Sequence, residues 1–292
     1  MPTALLDDRA LISVSGLDAE HLLQNVITTD LEQLLPGEIM PGALLTPQGK
    51  ILFDFLVSRA GENALLLDCR ADVADDLVRR LTLYRLRAKA ELRKLDQQLV
   101  LVSWRDESSG SEADSTPDGA LRDRRFPDSS AAWRSYGGSA TSSLEDRVKW
   151  ERFRILNGIA ESGSDFSLND VFPHDVLLDQ TGGVGFRKGC YVGQEVVSRM
   201  QHRGTARRRV LVATGDADLP SAGTDIQAAG RPVGTLGSSA GRLAIAIVRI
   251  DKVKAAMDAG IPITAGEAKL TLAIPAWATF TFPQDAATAE EA

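Results

Sequence analysis

Lys188-Gly-Cys-Tyr-Val-Gly-Gln-Glu195 is the stretch on which the reading of this chain turns. It lies in a longer segment, 182–209, where Gly182, Gly183, Gly185, Gly189 and Gly193 suit crowded or left-handed backbone and close approach to a ligand. Cys190 stands beside Lys188 and Arg187, and cationic neighbours favour a thiolate. Gln194, Glu195 and Arg199 follow on an expected helix start, where backbone N–H groups point outward. From these residues alone a second reading stays open. It is a glycine-rich turn with Cys190 as a small buried filler, since free cysteine is among the most buried residue types. The basic run Arg203, Arg207, Arg208 and Arg209 likewise reads more simply as a solvated face than as a binding patch.

Working outward, 42–59 reads as a hairpin. Gly42-Ala-Leu-Leu-Thr46 leads through Pro47-Gln-Gly-Lys50 into Ile51-Leu-Phe-Asp-Phe-Leu-Val57. Proline fixes φ and the glycine two positions on tolerates φ > 0, which is turn chemistry. Residues 10–15 predict a strand, and Asp18 an N-cap for a helix with Ala19, Leu22, Leu23 and Val26 on its apolar face. Further strands are expected at 63–68, 89–95 and 98–104, with a helix over 72–87 carrying Val73, Leu77, Leu81 and Tyr84 along one side. This mixed order is α+β. The polar stretch 105–120 offers too little apolar surface to offset its ordering entropy and reads as a mobile loop. A second polar stretch, 135–143, precedes a helix expected over 144–157 and ended by Asn157-Gly158. From 207 onward the texture is all-β, predicting a small barrel or sandwich, and the acidic tail after Pro283 reads as frayed.

Composition narrows the function classes. The chain has 292 residues, 43% hydrophobic and 25% charged, with a net charge of -7. Such an acidic whole makes direct nucleic-acid binding an unlikely role. No leader and no membrane-length apolar run are read, and the two cysteines, Cys69 and Cys190, suit a reducing compartment. The expectation is a cytoplasmic protein. His21, His174 and His202 form no HExxH, there is no CxxC, and no metal site is expected. Phosphate loops of the Walker type and a GxGxxG after a strand are also absent.

Lys188 to Glu195 matches the K-G-C-Y-[IV]-G-Q-E signature of the YgfZ folate-binding family. The chain resembles that family elsewhere too: Leu23-Gln24 with Thr28-Thr29-Asp30-Leu31, the hairpin over 43–55, Leu86-Arg87, Pro173-His-Asp175 and Val184-Gly-Phe186. It departs from the pattern at Asn25, where glycine is usual, and at Asp175, where glutamate is commoner. The resemblance implies a T-protein-like three-domain cloverleaf around a central funnel, with a C-terminal β-barrel. The implied domains are 1–48 with 144–204, an inserted 49–143, and 205–292.

It also implies tetrahydrofolate as ligand and an accessory role in iron–sulfur cluster assembly or repair, linked to tRNA modification. The partners would be folate and iron–sulfur assembly or client proteins. A pterin ring needs a flat slot with a carboxylate or amide partner, and its glutamate tail needs cations. Asp175, Gln194 and Glu195 are candidates for the ring, and Arg87, Lys188, Arg199 and Arg203 for the tail, with Gly189, Tyr191 and Gly193 shaping the site. Cys190 and Asp54 are the candidate catalytic residues. Phe53 stands where T-proteins carry the first of two acids, so transferase chemistry is expected to be weakened or lost. A tetrahydrofolate-dependent aminomethyl or methyl transferase is the alternative, and whether the chain is an enzyme stays open.

Overall fold

The hairpin forms because its two arms bury apolar side chains on both sides of a turn that glycine permits. In the computed structural model, which describes residues 1–96, 99–105, 117–137 and 143–283, β3 (Glu38–Leu45) and β4 (Ile51–Arg59) pair antiparallel, with Ala43 opposite Asp54. Gly49 closes the turn at φ +81°, its amide donating to the Thr46 carbonyl. Most of the polar stretches 105–120 and 135–143, and the tail after Pro283, lie outside the described residues.

The described chain gathers into two compact units, Met1–Trp150 with Thr181–Ser198, and Glu151–Gln180 with Arg199–Ala292. The first holds a nine-stranded sheet. Its other strands are β1 (Thr3–Leu5), β2 (Arg9–Ser15), β5 (Ala64–Arg70), β6 (Glu91–Lys94), β7 (Val100–Trp104), β8 (Leu121–Asp123) and β9 (Ala132–Tyr136). The order is β1-β7-β9-β8-β3-β4-β5-β2-β6, antiparallel throughout except for β3 beside β8. Helix α1 (Ala19–Gln24) buries Ala19, Leu22 and Leu23, as its spacing predicts. Asp18 stands at its start but caps no helix amide, because its carboxylate accepts the backbone N–H of Lys89 at 2.7 Å. Helix α2 (Ala74–Arg85) buries Leu77 and Leu81.

The sheet also holds a charged knot that periodicity does not announce. Asp68, with no exposed surface, accepts from Arg9 at 2.6 Å and from Arg134 at 2.9 Å, and the Tyr136 hydroxyl lies 3.3 Å away. Arg125 holds Asp123 in the same interior. Buried carboxylates persist only when paired in this way.

The second unit carries a closed six-stranded barrel, β10 (Arg208–Gly215), β11 (Asp225–Ala228), β12 (Arg231–Ala240), β13 (Leu243–Arg249), β14 (Ile263–Ala265) and β15 (Ala268–Ala273), in the order β10-β13-β12-β11-β14-β15. Closure leaves no free edge, which suits a domain of short strands. The all-β expectation fails at α5 (Ile250–Asp258), whose Ile250, Val253 and Ala256 recur at helical spacing and are buried. Helix α3 (Leu144–Leu156) ends where expected. Gly158 sits at φ +67° and its amide donates to Ile155, while the Ile159 amide donates to Arg154.

Candidate functional site

The signature loop is built against the hairpin tip and the Thr28-Thr29-Asp30 segment. Thr28 is fully buried; its hydroxyl donates to the Gly183 carbonyl at 2.6 Å and accepts the Ala43 amide, while the Gly185 amide donates to the Thr28 carbonyl. Crowding demands two of the glycines. A Cβ on Gly185 would lie 2.8 Å from Asp30 Cβ, and one on Gly193 (φ +79°) would lie 2.5 Å from the Thr46 carbonyl oxygen and 3.1 Å from Gly49 Cα. The hairpin turn and the loop thus touch backbone to backbone.

Lys188 fastens the loop from the other side. Its ammonium donates to the carbonyls of Ile27 at 2.9 Å and Thr29 at 2.7 Å, and lies 5.4 Å from the centre of the Tyr191 ring. Burial lowers its pKa to about 8, against the pull of Asp30 in the other direction. Burial alone would raise the Asp30 carboxyl; hydrogen bonds from Gln24 and Gln33 outweigh it and hold the group below its usual range. Tyr191 is buried, and that burial pushes its phenol to about 12. Gln194 opens α4 (Gln194–Arg203) and closes its own turn: its amide donates to the Tyr191 carbonyl, and its side-chain oxygen accepts the Tyr191 amide.

Cys190 emerges from this frame exposed, whereas Cys69 is fully buried in β5, and both are free thiols. The buried-filler reading therefore fits Cys69 and not Cys190. Gly189 beside it has neither positive φ nor any atom within 4 Å of an added Cβ, so the fold alone does not call for glycine there.

The remaining candidates fall into distinct surroundings. In the first unit Asp54 is half-buried on β4 beside buried Phe53, and Glu195 and Arg87 are exposed. Arg87 follows Leu86, which takes φ +44° and is 88% exposed, a strained and uncovered apolar residue. In the second unit Arg199 is exposed on α4, while Asp175 is buried and its carboxylate accepts the Phe172 amide at 3.0 Å, capping the turn Pro173–Val176. Lys188, Gln194 and Asp175 thus hold backbone groups. Among the described residues no side-chain partner engages Arg87, Glu195 or Arg199, and no group of His, Cys, Asp or Glu is placed to hold a metal ion. No described helix is long and apolar enough to cross a membrane. Thr28, Asp30 and Gly49 are the residues the site needs that motif reading did not single out as functional. The Thr-Thr-Asp run and the Pro-x-Gly turn were their signals.

Comparison with known proteins places this architecture. The family model of the CAF17 C-terminal beta-barrel domain matches residues 207–280. The chain is 35% identical over 243 residues to an "Iron-sulfur cluster assembly factor IBA57 homolog, mitochondrial" of Chaetomium globosum, covering 71% of this chain and 55% of that protein. It is 27% identical over 304 residues to the mitochondrial iron–sulfur cluster assembly factor IBA57 of Mus musculus, covering 93% of this chain and 84% of that one. The chain spans little more than half the length of the fungal relative. Among solved structures, glycine cleavage system aminomethyltransferase T from Bartonella henselae aligns with a TM-score of 0.71 at 16% identity, over 93% of this chain and 84% of that one. This establishes the expected T-protein-like fold. The cytoplasmic placement is overturned, because these relatives are named mitochondrial; few cysteines mark a reducing compartment without saying which one. The chain is thus similar in sequence to mitochondrial iron–sulfur cluster assembly factors named IBA57, has the fold of aminomethyltransferase T, and matches the CAF17 C-terminal beta-barrel domain over residues 207–280.

Proposed function

We propose that this protein is a folate-binding accessory factor of the YgfZ kind that supports assembly or repair of iron–sulfur proteins, with an effect on tRNA modification through those clients. The observation that carries the reading is the presentation of Cys190: an exposed thiol on a loop fixed by Lys188 and by the Gly193–Thr46 contact, with open space kept at Gly189. The names of the relatives support the iron–sulfur role and attach it to mitochondria.

Tetrahydrofolate, when bound, supplies a carrier for one-carbon units. Each unit offers one exposed guanidinium fork that suits an anionic tail, Arg87 in the first and Arg199 in the second. Glu195 is the exposed carboxylate proposed to meet the amino-pyrimidine edge, and Asp54 is the proposed catalytic acid. Lys188, Gln194 and Asp175 act as positioning residues, since their polar atoms hold backbone. The three-part division at 1–48 with 144–204, 49–143 and 205–292 belongs to this same reading. One thiol cannot hold a cluster, which needs about four protein ligands, so Cys190 acts with a partner protein.

The test is complementation of a deletion strain by Cys190→Ala and Gly189→Ala, read as activity of iron–sulfur enzymes, beside calorimetric titration of tetrahydrofolate. Loss of complementation with folate binding retained is the expected result for Cys190→Ala. Full restoration by both variants refutes the role of the loop. Turnover of an aminomethyl donor to methylene-tetrahydrofolate, abolished by Asp54→Asn, would replace this reading with the transferase.

A further inference from the structure

The second unit carries a cleft of about 580 Å³, within the size range of small-molecule sites, that the reading above does not use. Its lining combines apolar Met200, Ile250 and the ring of Phe280 with polar His174, Gln201 and Arg209. Arg209 is 7% exposed. Its Nη1 donates to the His174 carbonyl at 2.9 Å and to Asp179 at 2.7 Å, and the Phe280 ring lies 5.0 Å from the guanidinium carbon. The plane of the cation is therefore fixed. Its Nε is buried and has no hydrogen-bond partner among the described residues.

A buried cationic N–H without an acceptor is costly, and native structures rarely leave one so. The edge of a guanidinium formed by Nε and Nη2 is the fork that takes the two oxygens of a carboxylate. The acids of the cleft do not fill this need. Asp179 is engaged at Nη1, and Asp251 is held by Arg249 at 2.6 Å. Arg207 also lines the cleft. His174, whose ring nitrogen Nε2 meets the Gln201 side-chain oxygen at 3.1 Å, is held towards its neutral form by burial.

We propose that this cleft binds a small aromatic carboxylate, with its carboxylate on the Nε–Nη2 edge of Arg209 and its ring against Phe280 and Met200. The apolar lining selects a flat body over a bare anion, and the fixed guanidinium selects a carboxylate over a neutral amide.

The experiment is calorimetric titration of the full chain with benzoate, benzamide and inorganic phosphate, followed by benzoate in the presence of saturating tetrahydrofolate. Benzoate is expected to saturate with a Kd on the order of 1 mM, in keeping with its few heavy atoms. Benzamide should bind at least about tenfold more weakly, the loss expected for a charge-assisted pair. Met200→Trp, which fills the cleft from the face of α4, should abolish the benzoate signal while the thermal midpoint stays within error. Arg209→Lys should weaken it at least about tenfold. The proposal is overturned if benzoate gives no saturable heat, if benzamide binds equally well, or if phosphate binds more tightly than benzoate. It is overturned too if saturating tetrahydrofolate displaces benzoate, or if Met200→Trp leaves the signal intact. Because the titration is independent of Cys190, its failure leaves the iron–sulfur reading standing, and the reverse holds.

Discussion

Two glycines in the same signature should respond in opposite ways to an added methyl group. At Gly193 the backbone is at φ +79°, and a Cβ would lie 2.5 Å from the Thr46 carbonyl oxygen and 3.0 Å from Leu45 Cβ. Left-handed backbone costs a non-glycine residue about 1–2 kcal/mol. Overpacking against atoms that cannot swing away adds about 1–3 kcal/mol. Part of the second cost relaxes as the hairpin tip shifts, so the expected loss for Gly193→Ala is about 2–4 kcal/mol. In a body of about 150–250 residues that lowers Tm by roughly 5–15 °C. At Gly189 neither cost applies, because φ is not positive and no atom stands within 4 Å of the new Cβ. Gly189→Ala should therefore melt within about 4 °C of the wild type, since an unhindered Gly→Ala change shifts stability by under about 1 kcal/mol. Differential scanning calorimetry of the three proteins at one pH makes the comparison. If Gly193→Ala melts with the wild type, the backbone contact between loop and hairpin does not hold the site. If Gly189→Ala melts as low as Gly193→Ala, the claim that Gly189 is spared for space rather than for conformation is wrong.

Alkylation offers a simpler check: iodoacetamide at pH 8 should modify Cys190 in the native protein and spare Cys69, whose burial pushes its thiol to about 12, until denaturant is added. Labelling of both thiols in the native state would contradict their placement. Lys188 makes a pH-dependent prediction. Its folded pKa of about 8 lies below the ordinary lysine value of 10.5, so the folded state binds fewer protons between these limits. Stability from this group therefore rises as pH climbs through that window, and the burdened charged form persists below it. Lys188→Met should remove that rise, and urea-unfolding series from pH 7 to pH 10 that run parallel for both proteins would refute it. Finally, Asp68→Ala removes the buried carboxylate that Arg9 meets at 2.6 Å and Arg134 at 2.9 Å, and should cost about 3–5 kcal/mol by denaturant unfolding. A loss under about 1 kcal/mol would mean that the knot is solvated.

Some of this molecule is legible in its one-dimensional order. The hairpin over 42–59, the helices ending near 85 and at Leu156, and the β texture after 207 follow from periodicity and from Pro-x-Gly and Asn-Gly chemistry, which are local. Helix α5 escapes that reading because its run is short and sits among strand-like neighbours. The site is less legible. Lys188 reads as a ligand for an anion, yet its ammonium is held by the carbonyls of Ile27 and Thr29, some 160 positions away. Asp175 reads as a partner for a ring, yet it caps its own turn.

Sequence by itself determined the hairpin, most of the helices, the β texture after 207 and the family signature, because these rest on contacts within a few residues or on a motif carried whole. Tertiary structure alone decided which glycines are required by conformation and which leave space, which of two cysteines faces solvent, and which charges are already partnered. Those outcomes depend on atoms that distant segments bring to within hydrogen-bonding reach, and spacing along the chain does not encode that reach.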